Sequence, residues 1–153
     1  MAFIITDTVA GTQQIADSST TQKHPLGTIV RAKDPTYGEG EFIYCSGVAS
    51  TVVGSFATIH EDGFTTTLLA ANDIGRVGLA MSINIASQYG WYQISGKGVG
   101  TVAAGFADNG LVYATATAGT ADDAVVAGDR VKQCIGASAI DTPSTGLAEM
   151  ELD

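Results

Sequence analysis

Large apolar residues along the chain fall in short runs separated by turn-forming residues, not in helical stripes. Leu26 to Ala32 is a first candidate strand, closed by Asp34-Pro35-Thr36-Tyr37-Gly38, where proline fixes φ and glycine permits a positive one. Glu41-Phe42-Ile43-Tyr44-Cys45 is aromatic and β-branched, as strands are. Val52 to Ile59 and Phe64 to Leu69 flank Glu61-Asp62-Gly63, a hairpin signal. Val77, Leu79, Met81, Ile83 and Ile85 alternate with small or polar residues through Ala86, which predicts a strand with every large side chain on one face. Gly75 and Gly78 weaken the competing helix by about 1 kcal/mol each. Gln88 to Ser95, Val99 to Ala103, Leu111 to Thr117 and Arg130 to Ile135 complete the series. Asp108-Asn109-Gly110 adds another turn, and a loop surrounds Asp122-Asp123. Turn signals recurring about every 8–13 residues predict an all-β fold, a single β-sandwich or β-barrel of short antiparallel strands.

The two ends read differently from the middle. Residues 7–24 are polar, with only Val9, Ile15 and a few alanines available for a core. With Phe3, Ile4 and Ile5 ahead of them, residues 1–24 read as an extended N-terminal arm with an apolar tip. The alternative is that residues 3–5 form a first strand. Residues 25–140 are the β domain, and residues 141–153 a polar, acidic tail lying on the surface.

Composition narrows the function. The chain has 153 residues, a length typical of one domain, and its 45% apolar content is ample for a core. Charged residues make up only 15%, against about 25% in ordinary soluble domains, which suggests a surface partly covered by other subunits. Closed symmetry is the rule for such assemblies, so a homo-oligomer is expected. A net charge of −9 and seven scattered basic residues argue against nucleic acid and anionic membranes as partners. The N-terminus lacks a basic region ahead of its short apolar run, so it does not read as a signal peptide. No apolar stretch approaches the roughly 20 residues of a membrane helix, and the expected site of synthesis is the cytoplasm.

No constellation carries chemistry. His24 precedes Pro25 and His60 precedes a hairpin turn, and both read as solvent-exposed turn residues. Cys45 and Cys134 read as buried thiols, although a single bridge between them stays open. Neither cysteines nor histidines have metal-ligand spacing, so no metal and no cofactor is expected. Gly96-Lys97-Gly98-Val99-Gly100-Thr101 lacks the serine or threonine and the following helix of a phosphate loop, and reads as a bulge or turn between strands. Tyr89, Trp91 and Tyr92 form an aromatic group that a sugar could use, but alternation places Trp91 and Tyr92 on opposite faces, one in the core and one outside. No catalytic residue is assigned.

Several segments resemble the head decoration, or cement, proteins of tailed bacteriophages. They are His24-Pro25-Leu26-Gly27-Thr28-Ile29-Val30, Gly38-Glu39-Gly40-Glu41-Phe42-Ile43-Tyr44 with Gly47-Val48-Ala49, Gly75-Arg76-Val77-Gly78-Leu79-Ala80-Met81, and Gln88-Tyr89-Gly90-Trp91-Tyr92-Gln93-Ile94-Ser95-Gly96. The resemblance spans residues 24 to 136 and implies a non-enzymatic protein bound in many copies outside an icosahedral head. Its partners would be the major capsid protein and itself, with a homotrimer favoured over a dimer, and its location the outer surface of a virion built in the host bacterial cytoplasm. Phe3, Ile4, Ile5, His24, Pro25 and Leu26 are the candidate capsid or subunit contacts. Similar segments occur in phage tail and fibre proteins, so a tail or fibre part, or a carbohydrate- or receptor-binding β module, is the alternative.

Overall fold

The computed structural model describes residues 3–5, 13–139 and 146–153, which form an all-β structure without helix. The strands are β1 (Ile4–Ile5), β2 (Ser18–Ser19), β3 (Ile29–Asp34), β4 (Gly38–Ser46), β5 (Phe56–Ile59) and β6 (Thr66–Leu68). They continue with β7 (Arg76–Ala80), β8 (Tyr89–Val102), β9 (Leu111–Ala114), β10 (Ala121–Asp122), β11 (Arg130–Gly136) and β12 (Gly146–Leu152).

β8 organises the molecule. Its first half pairs with β4, β7 and β2, and its second half with β12 and β10. β12 pairs on with β11, β11 with β9 and β9 with β10, so β8, β12, β11, β9 and β10 close into a barrel. Its interior holds Val102, Val112, Ala121, Val131, Ala148, Met150 and Leu152, with Phe56 and Leu79 from the neighbouring strands in the same cluster. Beyond the barrel, β4 and β8 are covered on both faces. Phe42, Tyr44 and Trp91 pack with Ile15, Val30 and Met81, while Ile43, Cys45, Tyr92 and Ile94 pack with Ala57 and Ile59.

Local chemistry explains the junctions. In the β3–β4 hairpin, Asp34 Oδ1 accepts from the amides of Thr36 and Tyr37 at 2.7 and 2.9 Å. Gly96, at φ +90°, faces Gly40 of β4 and Leu152 of β12 at once. A β-carbon there would lie 2.4 Å from the Glu39 carbonyl oxygen, so only glycine lets β8 run from sheet to barrel.

Several expectations need correction. The two strands expected at residues 88–95 and 99–103 are one strand, Tyr89–Val102, and the glycine-rich stretch lies inside it, not in a turn. The stretch from Met81 to Ala86 is not strand: β7 stops at Ala80. The expected acidic tail contains β12, a barrel strand with Ala148, Met150 and Leu152 turned inward. Those three alternate with Leu147, Glu149 and Glu151, and the glutamates disguise a strand as a solvated tail. The expected arm is also built in where it is described. β1 pairs antiparallel with β3, which is the first-strand alternative, and β2 with β8. Residues 6–12 and 140–145 lie outside the described set.

Candidate interaction surfaces

The expected contact residues divide. Phe3 is half-buried, its ring edge-on to Phe42 with centroids 4.9 Å apart. Leu26 packs half-buried against the same cluster. Ile4, on a strand at the sheet edge, is 67% exposed and Pro25 is exposed. The Ile5 side chain lies outside the described set, though its backbone faces Ala32.

His24 is the clearest departure: it is buried, not exposed. Its Nε2 accepts from the Gln13 amide at 3.0 Å, and its ring stands edge-on to Tyr44 with centroids 5.1 Å apart. Gln13 is the centre of this latch. Its Oε1 accepts from the Tyr44 hydroxyl at 2.7 Å, its carbonyl from the Trp91 indole at 3.0 Å, and its Nε2 donates to the Asp17 and Tyr89 carbonyls. Burial holds the His24 pKa below 6.5. These contacts tie the N-terminal segment to the core, which leaves Ile4 and Pro25 as the exposed candidates among the expected residues whose side chains are described.

A second surface, absent from those expectations, is formed by two loops. Residues 47–54 run beside residues 80–88, joined by Gly47 N to Gln88 O (2.8 Å), Val48 N to Asn84 O (3.1 Å) and Gly54 N to Ala80 O (2.8 Å). Asn84 is fully buried, its Nδ2 donating to the Tyr92 hydroxyl at 3.2 Å. Gly47 makes room for it: a β-carbon there would sit 2.0 Å from the Asn84 carbonyl oxygen. With Ser82 and Asn84 inside, Ile83 and Ile85 point outward, opposite to the face alternation predicts. Ile83 is 59% exposed, and Val52 and Val53 lie exposed on the companion loop. Leu147 of β12, also exposed, reaches toward Gly54, where a β-carbon would meet its Cδ2 at 2.7 Å. Val52 to Ser55, expected as part of a strand, instead form the loop ahead of β5, and nothing in the sequence pattern signalled the outward turn of Ile83 and Ile85.

The chemical candidates resolve toward structure. Trp91 and Tyr92 are both fully buried, on opposite faces of β8, so the aromatic group offers no open platform for a sugar. Lys97 of the glycine-rich stretch pairs with Glu149 at 2.8 Å. Cys45 and Cys134 are free thiols in separate clusters, and burial pushes both up to about 12. Among the described residues, no group of three or more His, Cys, Asp or Glu side chains is placed to hold a metal ion. The basic residues are less scattered than the sequence suggests: Arg76, Arg130 and Lys132 line one cleft.

Compared with protein-family models, curated proteins and solved structures, the chain matches none.

Proposed function

We propose that this protein is a non-enzymatic structural component of a tailed-phage virion, which binds the outer capsid in many copies and stabilises contacts between major capsid protein subunits. The observation carrying this reading is the apolar strip formed by Val52, Val53, Ile83, Ile85 and Leu147 on paired loops and an adjoining strand. Apolar side chains gathered on one part of a surface favour burial against a partner. Full burial contributes about 1.5–3 kcal/mol per large apolar side chain, so even partial burial of the strip gives a useful contact. Repetition over a capsid multiplies modest contacts, and a clamp that binds only the joined subunits stabilises that arrangement by mass action. The low charge and net charge of −9 suit an outer surface away from packaged DNA. A homotrimer fits the local three-fold axes of capsids and is the proposed form.

Cryo-electron microscopy of the parent virion carrying labelled protein tests this directly. Label distributed over the head exterior is expected; label confined to tail or fibres overturns the capsid reading. In a sedimentation assay with undecorated heads, Val53→Glu combined with Ile83→Glu is expected to weaken binding at least tenfold while leaving the circular dichroism spectrum unchanged.

A further inference from the structure

A cleft of about 670 Å³ opens between the loop preceding β7 and the start of β11. Arg76, Arg130 and Lys132 line it, three of the seven basic residues in a chain with sixteen acidic ones. Arg76 opens β7, and Arg130 and Lys132 lie two apart on β11, so all three stand on strand backbone. The ion pairs Arg31–Glu41 and Lys97–Glu149 include none of them.

Two carboxylates share the wall, and each already has a structural task. Asp73 Oδ2 accepts from Thr58 Oγ1 at 3.1 Å and from the Ala70 amide at 3.0 Å. Asp129 Oδ1 accepts from the Asn72 amide at 2.7 Å, joining the two loops at the mouth of the cleft. Three cations against two carboxylates leave one unit of positive charge, enough to favour a single oxyanion and too little for a run of them. A carboxylate has about four lone-pair sites, so Asp73 and Asp129 can still accept from hydroxyl donors. Gln133 adds an amide, and Leu69, Val77 and Val131 supply an apolar floor. The volume falls in the usual range of small-molecule sites, roughly 300–1,000 Å³.

We propose that this cleft binds a saccharide unit bearing one carboxylate or phosphate group. The oxyanion is held by Arg76, Arg130 and Lys132, the arginines offering the planar fork that matches either group. The ring hydroxyls are read by Asp73, Asp129 and Gln133. A nucleic acid would need an extended basic track, which a chain of net charge −9 lacks. This site is distinct from the apolar strip, and it stands or falls independently of the capsid reading.

Isothermal titration calorimetry of the purified protein at low ionic strength tests it with galacturonate, glucose 1-phosphate, neutral galactose and inorganic phosphate. Galacturonate or glucose 1-phosphate is expected to bind at least tenfold tighter than galactose and inorganic phosphate, and which of the two binds identifies the oxyanion. Arg76→Gln with Arg130→Gln is expected to weaken that binding at least tenfold, while Lys33→Gln, outside the cleft, leaves it unchanged. Absence of binding by both acidic sugars overturns the proposal. Inorganic phosphate binding as tightly as the sugars rejects the saccharide class, and binding that survives the double substitution rejects the site. All the substituted side chains are exposed, so folding is expected to persist and is verified by circular dichroism.

Discussion

At the scale of single residues, the buried polar contacts of Gln13 and His24 have measurable consequences. Gln13→Ala removes the acceptor of the Tyr44 hydroxyl and the donor to the Asp17 and Tyr89 carbonyls, leaving groups in and around a closed core without partners. An orphaned buried group costs about 1–3 kcal/mol, so the variant is expected to lose about 2 kcal/mol in urea unfolding. His24 gives this latch a pH dependence of known sign. Its folded pKa lies below 6.5, so the unfolded chain binds the proton more readily than the native one. The stabilisation is complete above pH 6.5 and is lost as pH falls through the lower folded value. Protonation also removes the Nε2 lone pair that accepts from the Gln13 amide. Urea midpoints are expected to fall between pH 7.5 and pH 5, and His24→Gln is expected to flatten that decline.

At the scale of elements, β12 is a strand of the barrel wall, not an appendage. Met150→Ala empties a fully buried position and is expected to cost about 2–5 kcal/mol, whereas Leu147→Ala on the outer face should stay within about 1 kcal/mol by the same assay. Gly47→Val is expected to push residues 82–88 off their neighbour, lowering both stability and binding to heads. These elements also mark where sequence was legible. β4 was plain because aromatic and β-branched residues fill both of its faces. β12 was hidden by Glu149 and Glu151, although Ala148, Met150 and Leu152 keep the period of two. β2 is a pair of serines held by backbone pairing with Tyr89 and Gly90, and side-chain pattern carries no trace of it. The apolar strip was misread because the hydrogen bonds of Asn84 outweigh the preference of Ile83 and Ile85 for the interior. Gathering Arg76 with Arg130 and Lys132 depends on long-range topology that spacing along the chain does not express.

At the scale of the whole molecule, the sheet around β4 and the barrel wall share β8. The two bodies therefore have no strand-free boundary at which one could open without the other, and a single cooperative urea transition is expected by circular dichroism and tryptophan fluorescence alike. Deleting residues 2–22 would strip Gln13, Ile15 and the β1 and β2 pairings, so broadening or loss of that transition is expected, contrary to a free arm. The pairing of β8 with β12 also sets an order for biosynthesis. Residues 96–102 have no partner along that edge until residues 146–152 have been translated. A nascent chain thus carries an open strand edge until residues 146–152 have left the exit tunnel, a state inclined to pair with other chains. Ribosome-bound chains stalled with only β11 exposed are expected to be cut readily by protease, and chains extended until β12 clears the tunnel to resist it.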